Sequence, residues 1–167
     1  MLYDTIKEKL FSPIVVAIGL ISGACLMLLA EKRLSYAKCK TDIESISYKQ
    51  ATIIGCFQTL SLCPGMSRSG STITGGIFSN IDHKTSADFA FLLGIPVIGA
   101  AVCYDLLKTA NELTSMDWMM IAYGSIFSFI VACIAIKLFI RWVSQYKLYP
   151  FAFYRIFIGI SILILFR

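Results

Sequence analysis

Charge is scarce in this sequence. Fifteen Lys/Arg and ten Asp/Glu make up 15% of 167 residues, against 57% hydrophobic residues. With a mean hydropathy of +0.76, the chain carries more apolar surface than a soluble domain of this length buries, so the bilayer is its expected solvent. The net charge of +5 is not gathered on one face but lies between apolar runs, which excludes nucleic acid as a partner. No Cys-x-x-Cys pair occurs. Cys25, Cys39, Cys56, Cys63, Cys103 and Cys133 lie mostly inside apolar runs, which argues against a zinc site or a disulfide framework and predicts no metal held by this chain. No run alternates with period two, so an outer-membrane barrel is excluded and helices are expected. The N-terminus mixes Asp4, Lys7, Glu8 and Lys9 and does not read as a cleavable signal.

What is abundant is long apolar sequence. Pro13–Ala30 is an uncharged run just long enough to cross a hydrocarbon core of roughly 30 Å. Its Gly19 and Gly23 have the spacing that lets helix backbones approach closely. Residues 87–107 form a second span with Asp88 and Asp105 near its ends, and residues 118–136 a third. Residues 150–166 form a fourth, with Arg155 inside it and Tyr149, Phe151, Phe153 and Tyr154 at its start, as at a membrane interface.

Residues 51–81 fit no straight span. Pro64 and Gly65 sit in the middle, with Arg68 close by, and a lipid-facing arginine at mid-membrane costs roughly 3 kcal/mol or more. A re-entrant hairpin resolves this. Residues 51–63 as a helix reach only about 20 Å, enough to enter a bilayer and not to cross it. Pro64-Gly65 then turns the chain, and a short helix from about Ser71 to Ser79 returns. The expected fold is therefore all-α and integral to the membrane: four transmembrane helices plus one re-entrant helical hairpin. If the hairpin does not cross, Lys32, Arg33, Lys38, Lys40, Lys49, Lys84, Arg141 and Lys147 share one side, against Lys7, Lys9, Lys108 and Arg167. The positive-inside rule makes the first side cytoplasmic.

From Gly65 to Gly76 nearly every residue is Gly, Ser or Thr, with one arginine among them. Such a tip is suited to anions. Free N–H groups at the start of the returning helix, the helix dipole and the hydroxyls of Ser67, Ser69, Ser71, Thr72 and Thr74 all favour negative charge. Arg68 adds a planar fork that grips phosphate oxygens in pairs. The segment is neither a Walker A loop nor a Gly-x-Ser-x-Gly elbow. The bland alternative is a helix break whose small residues serve packing alone.

Pro64-Gly-x-Ser67-Arg68-Ser69-x-x-Thr72, preceded by Gly55-Cys-Phe-Gln58, resembles the signature of bacterial undecaprenyl-diphosphatases, the bacitracin-resistance family. Phe91–Pro96 and Phe153-Tyr154-Arg155 extend the likeness over the whole chain. The resemblance implies a multi-pass hydrolase of the bacterial inner membrane that removes a phosphate from undecaprenyl diphosphate and returns the carrier to peptidoglycan synthesis. Arg68 and Ser67 would be its catalytic residues here. Gly65, Ser67, Arg68, Ser69, Thr72 and Gln58 would bind the substrate, with Mg²⁺ or Ca²⁺ as an assisting ion.

One departure stands out. The family also uses a Glu-x-x-x-Glu motif, a Ser-rich turn and a His on a second hairpin, and this sequence has no counterpart. Gln58 and Leu62 stand where a partner repeat would carry glutamates, His83 lies in a polar turn expected to be solvated, and no Glu interrupts an apolar run. The chain is thus expected to be the C-terminal half of an inverted-repeat bundle, completed by a missing N-terminal half or by a homodimer partner. Three readings stay open: a diphosphatase portion, a lipid-phosphate binding or transport module, and an inactive truncated product.

Overall fold

The computed structural model describes residues 12–34, 39 and 42–166. Lys7, Lys9, Lys38, Lys40 and Arg167, which entered the orientation count, lie outside the described residues. Every extended regular element among those described is helical. Six α-helices follow in order: α1 Pro13–Leu34, α2 Tyr48–Thr59, α3 Arg68–Phe78, α4 His83–Thr109, α5 Ser115–Tyr146 and α6 Tyr149–Leu165, with 3₁₀ turns at Ile43–Ser45 and Leu60–Leu62. Helices α1, α4 and α5 are long and apolar enough to cross a membrane; α6, with 17 residues, reaches about 25 Å.

The chain's local chemistry explains these limits. Ser12 caps α1, whose first residue is Pro13, a position that needs no N–H donor. Ser47 and Gln50 form a reciprocal capping box, so α2 starts at Tyr48, before the position expected from hydropathy. Asp82 Oδ1 accepts from Thr85 N–H at 3.0 Å to begin α4, and Thr114 with Asp117 forms a second box at the start of α5. Helix α4 continues through Pro96, which supplies no N–H to the turn before it.

Helices α2 and α3 fold back on each other as a hairpin. Gln50 Nε2 donates to the carbonyl of Ser79 at 2.8 Å, tying the entry of one helix to the exit of the other. Residues 70–77 are all buried. A Cβ on Gly75 would press on Phe57 of α2, and one on Gly76 on Ser86 of α4, so these glycines let three backbones close up. Helix α1 packs mainly on α6 and α3, and α5 leans on α4. An aromatic seam of Phe91, Phe139, Phe151 and Trp142, with centroids 5.0–5.6 Å apart, ties α4 and α5 to α6.

Two expectations are corrected. The returning helix begins at Arg68 rather than near Ser71, because Ser67 Oγ accepts from Gly70 N–H and caps it. His83 is not a solvated loop residue. It opens α4 with a side chain 12% exposed, and its Nε2 lies 2.7 Å from Oε1 of Glu31, whose side chain is 1% exposed. Glu31 in turn belongs to α1 and is buried, whereas hydropathy alone had ended that span at Ala30.

Candidate anion site at the hairpin tip

The break between α2 and α3 rests on α1. A Cβ on Gly19 would collide with the carbonyl of Pro64, and one on Gly65 with the carbonyl of Val16. The Gly19/Gly23 pair therefore receives the hairpin tip. Gly65 has φ +90°, open to glycine at little cost. Ser67 has φ 64° and ψ 121°, a conformation worth about 1–3 kcal/mol of strain in a residue with a Cβ. Strain held at the mouth of a break, by a residue whose side chain is exposed, is the usual mark of a functional position.

Opposite the tip stands Arg155 of α6, 7% exposed. Its Nη2 donates to the carbonyl of Gly65, and its Nη1 lies 3.9 Å from Met27 Sδ. Glycines 23 and 70 flank the guanidinium so closely that a Cβ on either would lie 3.1–3.3 Å from its nitrogens. A cavity of about 200 Å³ opens there, lined by Ser67, Ser69, Gly70, Arg155 and apolar side chains including Met27 and Phe151. A buried cation, two hydroxyls and the amino end of α3 converge on one small volume, the composition of a phosphate receptor.

Arg68 does not line this cavity. Its guanidinium lies against Gly94 of α4, where a Cβ would touch its nitrogens, and its Nη1 is buried without a hydrogen-bond partner. Two guanidinium groups thus flank the first turn of α3: Arg155 of α6 on the side of α1, and its own Arg68 on the side of α4. Thr72 is buried, and its hydroxyl donates to the carbonyl of Arg68 at 2.7 Å. Thr74 donates to Gly70 in the same way at 2.7 Å, and Ser71 to the carbonyl of Met66 at 3.4 Å. Serine and threonine inside a helix find such a backbone acceptor readily, so of the five hydroxyls only those of Ser67 and Ser69 line the cavity. Gln58, half-buried in the last turn of α2, has an unpartnered Oε1.

Sequence reading placed Arg155 in a span and gave it no role at the site. A lone arginine inside an apolar run was the available signal, since such residues face protein or a water-filled path. No group of three or more His, Cys, Asp or Glu side chains suitable for a metal occurs among the described residues. The cavity lining offers Arg155 and no carboxylate, which does not fit Mg²⁺ or Ca²⁺ held by these residues alone.

Comparison with known proteins places nearly the whole chain in one family. Residues 1–161 match the family described as bacitracin resistance protein BacA. The chain is 45% identical over 161 residues to undecaprenyl-diphosphatase 1 of Bacillus cereus, covering 96% of this chain and 60% of that protein. It is 44% identical over 163 residues to undecaprenyl-diphosphatase of Bacillus subtilis, covering 97% and 59%, and 46% identical over 162 residues to that of Psychrobacter arcticus, covering 96% and 58%. It thus spans about three-fifths of the length of these curated relatives. On a match that covers nearly all of its residues, the chain belongs to the bacitracin resistance protein BacA family.

Proposed function

We propose that this chain carries the diphosphate-holding half of an undecaprenyl-diphosphate phosphatase. The observation that carries the proposal is the cavity in which Ser67, Ser69 and Arg155 meet at the tip of a broken helical hairpin. The names of the relatives supply the substrate. In this reading α1, α4, α5 and α6 provide four spans of a bacterial inner-membrane protein, near residues 13–30, 87–107, 118–136 and 150–166. Residues 51–81 dip into the bilayer and return, with the basic loops cytoplasmic.

The reaction is attack of water on the terminal phosphorus, cleavage of the P–O bond to the bridging oxygen, and release of phosphate and the lipid monophosphate. Arg155, Ser67 and Ser69 hold the terminal group, and the start of α3 offsets its negative charge. Arg68, whose buried Nη1 has no partner, takes charge that develops on the oxygens on its side. Gly65 keeps the tip low enough for that approach, while Gln58 and the back-bonded Thr72 support it. Water also needs a base, and none of the residues lining the cavity is a carboxylate or histidine. The base therefore comes from a complementary segment of the longer family fold, or from a second copy of the chain. The residues lining the cavity, with a guanidinium and no carboxylate, do not fit an assisting metal.

The lack of a base in the cavity also favours a second reading, binding or movement of the lipid phosphate without hydrolysis. The test is phosphate release from undecaprenyl diphosphate in detergent micelles. The chain alone should stay at background. Co-expression with the N-terminal half of the Bacillus subtilis relative should raise turnover, and Arg68→Ala should remove it. No gain on co-expression, with diphosphate binding intact, would favour the binding module. Robust release by the chain alone would move the chemistry to Ser67 or Ser69.

A further inference from the structure

Glu31 is 2% exposed and sits where three segments meet. Its Oε1 accepts the backbone N–H of Leu148, immediately before α6, at 2.8 Å, and faces Nε2 of His83, the first residue of α4, at 2.7 Å. One carboxylate thus lies between two helix N-termini, the end of a helix dipole that favours negative charge. Leu148 has no side-chain cap of its own helix. A buried acidic group with a second oxygen left unpartnered costs more than most structural contacts repay.

Gly19, Gly23, Met27 and Glu31 recur every four residues and form one stripe along α1. Gly19 takes the carbonyl of Pro64, Gly23 and Met27 take the Arg155 guanidinium, and Glu31 takes Leu148. On the N-terminal side of Gly23, Ala17 and Ile21 of α1 meet Gly159 of α6. Residue numbers rise on α6 as they fall on α1, so the helices run antiparallel, and Leu148 is separated from Arg155 by seven residues, two turns or about 10 Å. A slip of one turn would carry Arg155 about 5 Å out of its glycine cradle. The glycine and alanine contacts are non-directional and tolerate sliding, whereas the two bonds at Glu31 do not.

We propose that Glu31, held by His83, is a positioning residue for the diphosphate site: it pins the start of α6 so that Arg155 meets Gly65 and the Ser67–Ser69 cavity. The inference rests on Arg155 being part of that site. The probe is farnesyl diphosphate, titrated calorimetrically into the intact chain in nanodiscs, because calorimetry separates the competent fraction from the affinity. A purely structural role would lower the competent fraction and leave Kd of the remainder unchanged. A positioning role raises Kd. Glu31→Leu should raise Kd about tenfold with the stoichiometry intact. Glu31→Gln, which keeps an acceptor for Leu148, and His83→Arg, which keeps a donor, should stay within about threefold of the parent. In an Arg155→Lys background, Glu31→Leu should add little further loss, since both act through one contact. If Glu31→Leu does not fold, His83→Ala replaces it, with an expected rise of about fivefold, above the range of the two conservative variants. Parent affinity in Glu31→Leu, or in its substitute, overturns the positioning role alone. Failure of the parent chain to bind, or full binding by Arg155→Met, overturns the site reading and the positioning role with it.

Discussion

Helix α3 and the outer parts of α4 and α5 invert the arrangement of a water-soluble domain. Residues 70–77 of α3, mostly Gly, Ser and Thr, are all buried, while residues 95–105 of α4 and 118–135 of α5, overwhelmingly apolar, are all exposed. In water such a molecule would be unstable twice over. In a bilayer the pattern is consistent, because lipid solvates the apolar helices and small residues let backbones approach where polar groups must be satisfied internally. The comparison separates two jobs: α3 is a tightly fitted polar insert, and the α4–α5 pair is a lipid-facing or protein-facing wall. Each job predicts a different response to substitution.

The largest effect is expected at the insert. Gly65→Ala combines a Cβ at φ +90° with a collision against the Val16 carbonyl, and strain plus overpacking sum to about 4 kcal/mol. The unfolding midpoint in a detergent titration should fall steeply, and diphosphate binding with it. A nearly unchanged midpoint would mean that the tip does not rest on α1 as described, and the division into insert and wall would lose its first half.

Phe127→Lys probes the wall. Phe127 is 73% exposed, so contacts within the chain predict little cost. A lipid-facing lysine near the centre of a span costs about 2.5–3.5 kcal/mol of insertion free energy. Glycosylation mapping of α5 inserted through the translocon measures that cost. Insertion as efficient as the parent's would show that this face of α5 borders water or another protein segment rather than lipid.

The two regions also differed in how much the sequence disclosed. Apolar length exposed α1, α4 and α5 directly, and Pro64-Gly65 marked the break. The composition of residues 65–76 marked the tip as polar but not which hydroxyls reach the cavity. That depends on where α3 begins: starting at Arg68 places Thr72 and Thr74 one turn beyond the helix carbonyls of Arg68 and Gly70, to which their hydroxyls add a second bond. Arg155 and Met27 lie 128 residues apart, and His83 and Glu31 lie 52 apart. No local period joins such pairs: the antiparallel register of α1 and α6 brings the first together, and the meeting of the start of α4 with the end of α1 the second. Glu31 was misplaced for a related reason, because hydropathy ends a span at the first charge while the helix and its buried face continue one turn further.

The smallest expected effect concerns Cys39, the cysteine placed by sequence in the basic loop that the positive-inside rule makes cytoplasmic. Burial first, and the Asp82 carboxylate second, push its thiol above the ordinary range. Because the thiolate is the reactive form, a raised pKa leaves less of it at neutral pH, and alkylation should be slow even when the reagent reaches the correct side. Raising the pH toward 9 should speed labelling more than for an exposed thiol. Asp82→Asn offers a cleaner handle. Asparagine caps a helix about as well as aspartate, so the bond to Thr85 N–H survives, while the repulsion on the Cys39 thiolate disappears. Since Asp82 is the lesser of the two causes, the rate gain should be only about twofold to threefold. With a membrane-impermeant maleimide and the other five cysteines replaced, that gain should appear in inside-out vesicles and be absent in intact cells. Labelling of intact cells would place the loop outside and reverse the orientation of the wall. An unchanged rate in Asp82→Asn would show that burial alone governs the thiol, leaving the topology intact but removing Asp82 from the neighbourhood of Cys39.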